Sequence, residues 1–350
     1  MMFSSFIKSL AFMAVASTNV LALETYVKCD QYVKDFTSKE VCVPKKIDKI
    51  IITCYGGSSQ EIALFMGSDK IVAQPDVQKF QQFLKIYPTL KNVPSAGTFN
   101  DVNLENMLKL DPDIVFAGVT SIPTNERISE MKIPVFTLGI GKHTIASLLE
   151  EFLQVGKILH KEQKAKELIG YWHTKLDMIR LRLSQIKPSE RQKVFYTNGS
   201  SGLSSENKKW WGDEFIHASG GVNVASDLAL KGDVSAEILS VWNPDIIITS
   251  TNNKSNTSAS GLIKNATFKN LKAIKNNAIY EAPIGAFWWD RPSPESILGI
   301  LWLSKVLYPK EMRDIDLKRE TKEFYKKFYG YTLTDKEYEG FFSNHSKDKK

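Results

Sequence analysis

The chain has little of what most catalytic or metal-binding sequences display. It holds three cysteines and five histidines in 350 residues, and no histidine stands beside a cysteine at the spacing a zinc site needs. No Gly-x-Ser-x-Gly nucleophile elbow occurs: Gly199-Ser200-Ser201-Gly202 has the wrong spacing, and Gly56-Gly57-Ser58-Ser59 lacks the closing glycine. A phosphate-cradling Walker loop is also missing. These absences weigh against an exported α/β hydrolase, the competing class of function, and no enzyme activity is expected. Past the N-terminus, no apolar stretch approaches the roughly 20 residues of a membrane helix. Nor is charge concentrated. The formal net charge of +7 is spread over lysines along the whole chain, which describes a solvated surface better than a nucleic-acid patch. No nucleic-acid partner is expected, although the balance mildly favours an anionic ligand.

What is present begins at the N-terminus. Lys8 precedes an apolar run over residues 10–15, and small residues close on Val20-Leu21-Ala22. That is the pattern of a signal peptide over 1–22, with cleavage after Ala22 and export of the remainder. Tyr26-Val27-Lys28 before Cys29 is the wrong context for a lipoprotein signal, so no lipid anchor is expected. In an oxidising compartment Cys29 and Cys42 are the candidate disulfide, closing a small N-terminal loop and leaving Cys54 unpaired; the other pairings stay open. Cys54 itself reads as inert packing at the end of a buried strand.

Lys49-Ile50-Ile51-Ile52-Thr53-Cys54 reads as a buried strand, residues 60–66 resume at helical spacing, and Lys70-Ile71-Val72-Ala73 supplies another strand. Strands alternating with helices imply parallel α/β architecture. An internal repeat then sets the domain count. Leu104-Glu105-Asn106-Met107-Leu108-Lys109-Leu110-Asp111-Pro112-Asp113 aligns without a gap on Ala236-Glu237-Ile238-Leu239-Ser240-Val241-Trp242-Asn243-Pro244-Asp245, at an offset of 132 positions. Each copy is a short helix stopped by an Asx-Pro turn and followed by a strand apolar on both faces. Two such copies so far apart imply two similar lobes with central, mainly parallel sheets. Between them, apolar residues spaced by threes and fours from Ala165 to Ile186 predict one long helix over 162–187, ~39 Å at about 1.5 Å per residue. The expected organisation is a signal peptide (1–22), an N-terminal lobe (23–160), a linker helix (161–188), a C-terminal lobe (189–342) and a polar tail (343–350).

Several further motifs carry a family resemblance over nearly the whole mature chain. They are Val43-Pro44 before the first strand, Ser95-Ala96-Gly97-Thr98-Phe99, the Asp-Pro-Asp turn, Gly220-Gly221-Val222-Asn223-Val224-Ala225, and the final helix from Ser293-Pro294-Glu295 to Leu303. In order and spacing the chain resembles the periplasmic binding proteins for ferric siderophores, haem and cobalamin, whose two lobes are joined by one rigid helix. The resemblance implies a monomeric periplasmic receptor of an ABC importer that needs no cofactor of its own. Its implied partners are a metal chelate, an iron complex ahead of cobalamin, a nickel chelate or molybdate, and a permease dimer in the inner membrane. It also implies that Glu105 and Glu237, at matching places in the repeat, dock to that permease; taken singly, each is a first-turn helix acid favourable beside the helix dipole.

Ligands of open α/β sheets sit at the carboxyl ends of strands. That selects Tyr55 and Gly56, then Thr98 and Phe99, in the first lobe. In the second it selects the Asn198-Gly199-Ser200-Ser201 loop, Trp210 and Trp211, and the segment carrying Trp288, Trp289 and Arg291. Indoles beside glycine make good walls for a flat or chelated ligand, and one tryptophan of each pair is expected to pack inward. Arg291 offers forked donors to an anion or a pairing partner to a nearby carboxylate. His143, His160, His173, His217 and His345 are assigned no metal, His217 coming nearest to an exception.

Overall fold

Short runs of isoleucine, valine and phenylalanine build both sheets, because β-branched and aromatic residues suit a surface buried on both faces. The computed structural model describes residues 29–197, 202–229, 232–250, 262 and 268–342. The expected signal peptide, the 343–350 tail and residues 198–201 lie outside them.

In the N-lobe, β1 (Cys29–Lys34) and β2 (Glu40–Pro44) form an antiparallel hairpin tied by a Cys29–Cys42 disulfide. Next come β3 (Ile50–Ile52), β4 (Ile71–Ala73), the two-residue pair β5 (Gly97–Thr98) and β6 (Asp101–Val102), β7 (Ile114–Gly118) and β8 (Val135–Leu138). The C-lobe holds β9 (Lys193–Thr197), β10 (Ser204–Ser205), β11 (Val222–Asn223), β12 (Gly232–Asp233), β13 (Ile246–Thr249) and β14 (Ile279–Glu281). Each lobe has one four-stranded parallel sheet, ordered β4-β3-β7-β8 and β11-β9-β13-β14. The two orders are the same topology used twice.

The repeated Asx-Pro-Asp turn has a physical reason in both copies. Asp111 and Asn243 take left-handed conformations (φ 51° and 41°) that end the Leu104–Leu110 and Ala236–Trp242 helices. Short polar side chains tolerate that region better than most. Proline then prevents the helix from continuing. The final aspartate ties down the neighbouring strand: Asp113 accepts the Asp48 and Lys49 amides at 2.7 and 2.9 Å, and Asp245 accepts the Lys193 amide at 2.8 Å.

Side chains alternate along the strands, so each sheet has two different faces. Ile51, Val115 and Ala117 face a core belonging to the N-lobe alone, and Phe195, Ile247 and Ile279 face one belonging to the C-lobe alone. Their neighbours Ile50, Ile52, Phe116, Val194, Tyr196 and Ile248 all join a single large cluster that runs through both lobes.

The linker helix spans that common cluster. It runs Glu162–Arg182, 21 residues, about 32 Å at 1.5 Å per residue, and so falls five residues short of the end predicted at 187. The chain tightens there into i→i+3 turns, with Ser184 N bonded to Leu181 O and Ile186 N to Leu183 O; Leu183 packs where a side chain at Gly220 would sit. Trp172, fully buried at the middle of the helix, donates its indole N–H to Pro294 O of the C-lobe at 3.1 Å and lies 6.1 Å from the Phe152 ring of the N-lobe. No helix among the described residues is long and apolar enough to cross a membrane.

Candidate functional site

Chain segments leaving the carboxyl ends of both sheets meet between the lobes. Tyr55-Gly56-Gly57 follows β3, and the Phe99 amide donates to Thr53 O at 2.7 Å, so the β5–β6 turn folds onto the same strand end. The Tyr55 and Phe99 rings lie 6.1 Å apart, both half-buried, with Thr98 beside them. Burial, followed by Asp76, pushes the Tyr55 phenol up, so at neutral pH it is a hydrogen-bonding group and not a phenolate.

Gly57 is where the two backbones touch. At φ 89° it occupies left-handed space, and a Cβ there would collide with Pro292 O and Ser293 of the other lobe; only glycine meets both demands. Gln60 adds a hydrogen bond across the same boundary, its Nε2 donating to Ala286 O at 3.2 Å.

Two lysines of the N-lobe reach tryptophans of the C-lobe. Lys79 Nζ stands 4.1 Å from the Trp288 ring centroid and 5.2 Å from that of Tyr55; Lys142 Nζ stands 5.8 Å from that of Trp210. Such contacts are attractive because the ring face is negative. Burial lowers the Lys79 pKa, and Asp76 opposes the shift. Lys142 belongs to a turn held from behind: the Gly139 amide donates to buried Glu151 at 2.8 Å, and buried His143 lies 3.0 Å from the same carboxylate. His143 is therefore packing for the loop, and His217, half-exposed 3.4 Å from Asp213, is a surface residue.

The tryptophan pairs divide one inward and one outward. Trp211 and Trp289 are fully buried and line no cleft, which corrects their placement among the candidate walls. Trp211 opens a helix, Trp211–Ala218, and not a loop; its ring fills the common core. Trp289 is wedged edge-on between Phe341 and Phe342 at 6.0 and 5.9 Å. Trp210 is half-buried, and Trp288 is 8% exposed beneath Lys79. Arg291 is committed to its own lobe. It donates to Glu206 Oε1 at 3.0 Å and to Ser250 Oγ at 3.4 Å, and its guanidinium lies 5.7 Å from the Tyr196 ring. Tyr196 in turn donates to Asp290 at 2.7 Å. The Arg291 charge is thus already balanced by a carboxylate, although a guanidinium has five donors and these contacts do not use them all.

Sequence reasoning missed Lys79 and Lys142. Neither carries a signal of its own, since each is one lysine among many and its aromatic partner comes from the other lobe. Away from the cleft, Glu105 and Glu237 are exposed in the first turns of their helices, at the positions the repeat assigns them.

A sequence profile of periplasmic binding proteins matches residues 51–284. The chain is similar to molybdate-binding protein MolA of Haemophilus influenzae, 25% identical over 328 residues that span 86% of this chain and 91% of that protein. Among solved structures, a periplasmic solute binding protein from Veillonella parvula superposes with a TM-score of 0.77 at 28% identity, over 90% of this chain and 98% of that one. CeuE of Helicobacter pylori with Ni(II) bound gives 0.76 at 22% identity, over 89% of this chain and 100% of that one.

Proposed function

The chain belongs to the periplasmic binding protein family, whose members serve ABC importers as substrate-binding proteins and are not enzymes, and from that premise we propose that it captures an anionic, metal-containing small molecule between its lobes. The reading rests on Lys79 and Lys142 of one lobe facing Trp288 and Trp210 of the other. The Lys79 ammonium, half-buried on its indole face, is partly desolvated, so an arriving anion meets a stronger field than it would in open water, and the exposed Lys142 adds a second positive charge. Apolar ring area beside it suits the organic part of a chelate. A ferric complex with carboxylate or catecholate arms satisfies both demands. Molybdate is the second reading, favoured by the similarity to MolA over most of the chain.

Release would take place at the inner membrane, with Glu105 and Glu237 offering one negative point from each lobe to the permease. Charges so placed set orientation and encounter rate more than raw affinity. Export through a cleaved signal peptide without a lipid anchor, and action as a monomer, complete the proposal.

Titration calorimetry against molybdate, ferric citrate, a ferric catecholate, haem, cobalamin and nickel–histidine tests it. At least one anionic member should bind at micromolar concentration or better, about −8 kcal/mol, with affinity falling as salt rises. Binding of cobalamin or nickel–histidine alone would overturn the anionic assignment, and binding of none would remove the cleft reading.

A further inference from the structure

Five large hydrophobic side chains are exposed among the described residues: Tyr32, Leu108, Leu181, Ile238 and Val241. Exposed apolar residues scattered singly are ordinary, whereas a cluster marks a contact surface. Three of the five lie on the two seven-residue repeat helices, Leu104–Leu110 and Ala236–Trp242. Both helices cover the outer faces of their sheets, packing into the cores private to each lobe, and neither belongs to the cleft.

Their solvent faces differ in chemistry. In the N-lobe copy Glu105 is paired with Lys109 one turn later at 2.7 Å, both side chains being exposed. The repeat puts Val241 where Lys109 stands, so Glu237 has no such partner, and among the described residues no lysine or arginine pairs with it. A hydrogen bond with Ser235, then the backbone, holds the Glu237 carboxyl below its ordinary value. Ile238 likewise stands where the other copy has Asn106. Among the described residues Glu237 is therefore a carboxylate without a cationic partner, flanked by Ile238 at 44% exposure and Val241 at 83%, whereas Glu105 is paired with a lysine and lies near a single exposed leucine.

We infer that the protein docks asymmetrically: the C-lobe helix, through Glu237, Ile238 and Val241, is the main anchor for a basic residue with an apolar surround on the membrane permease, and the N-lobe helix is a weaker second contact. This rests on the docking reading given above. Apolar side chains that exclude water around a charge pair are what turn an ion pair into an energetic focus. Glu105 must first give up Lys109 to make an equivalent contact. On a permease of two identical subunits the two seatings are equivalent, so the asymmetry would show as unequal contributions from the two helices.

The test places a photoreactive p-benzoylphenylalanine at Val241, at Leu108 or at Leu181 of the full chain, in the cell that makes it. Cross-linked peptides from Val241 are expected to come from the importer's membrane permease, with Leu181, an exposed apolar residue outside the repeat, giving none. Reconstituted in nanodiscs, that permease should bind Val241→Ser about tenfold more weakly and Leu108→Ser less than about threefold more weakly. Lys109→Ala should bind equally well or up to about threefold more tightly. Thermal melts and calorimetry with whichever panel member binds confirm that folding and ligand affinity are retained. Equal losses at the two helices overturn the asymmetry while leaving docking intact. Failure of both repeat helices to cross-link the permease, or a Val241 product that is a second copy of this chain, overturns the docking reading as well.

Discussion

Tyr325 donates a 2.7 Å hydrogen bond to Glu295 inside the C-lobe, where both side chains are fully buried. The pair fixes the loop that carries Trp288 and Arg291, since the Ala286 amide donates to Tyr325 Oη at 2.8 Å and the Phe287 amide donates to Glu295. Burial raises the Glu295 carboxyl from 4.5 to about 7, against hydrogen bonds from Tyr325 and Phe287 that act the other way. A folded value above the unfolded one favours the protonated form in the fold. The resulting stability is present in full below pH about 4.5 and is lost as pH rises through about 7. It amounts to roughly 3 kcal/mol between those limits. We expect thermal melts of Glu295→Gln to lose this part of the pH dependence, so that the variant gains on the native protein between pH 5 and pH 8. Parallel curves would refute this account.

Lys79→Ala should weaken binding of an anionic ligand about tenfold or more, which is one charge removed at short range from a partly buried site. Lys79→Arg should recover most of the loss, because the charge and the contact with the indole are retained. The melting temperature should move little in either variant. Calorimetry decides, and unchanged affinity in the alanine variant would show that the Lys79–Trp288 contact only joins the lobes.

Thiol counting with an aromatic disulfide reagent checks the cysteine pattern. Cys54 is fully buried, and burial, opposed in part by Ser58, pushes its thiol up to about 12. With Cys29 bonded to Cys42, the native protein should show no reactive thiol, and the denatured, unreduced protein one. Three on denaturation would mean that the bond is absent.

A methyl group at Gly57 should cost more than one at Gly67, although both glycines have positive φ. Gly67→Ala meets open space and bears only the backbone penalty of its φ 85°, ψ −174° conformation, about 2 kcal/mol. Gly57→Ala also drives into Pro292 and Ser293, and we expect a total of about 3 kcal/mol or more. Chemical denaturation compares the two directly. Equal costs would mean that the lobes part easily at this point.

The architecture was legible because it rests on local patterns: isoleucine runs, the Asx-Pro-Asp turns and a long amphipathic stripe. The end of that stripe was not. Ile186 keeps the helical spacing, but the backbone has already tightened at Ser184 to feed β9, and periodicity cannot register a change from i→i+4 to i→i+3 bonding. The site was legible by segment and much less so by side chain. Trp210 and Trp211 are neighbours of one residue type, and only the start of the helix at Trp211 sends one ring outward and the other inward. Arg291 could be assigned to a ligand or to a carboxylate with equal reason until Glu206, distant in sequence, came to lie beside it. Lys79 and Lys142 depend wholly on contacts made across the lobes.

The common apolar layer under the linker helix makes the halves mechanically inseparable. Severed near residue 187, the first fragment would bare Phe80, which packs 4.9 Å from both Phe287 and Trp288, and the second would bare those rings together with the cap over Trp172. Apolar rings would then be exposed on both pieces, so the two fragments are expected to stay associated along the layer that the single polypeptide closes.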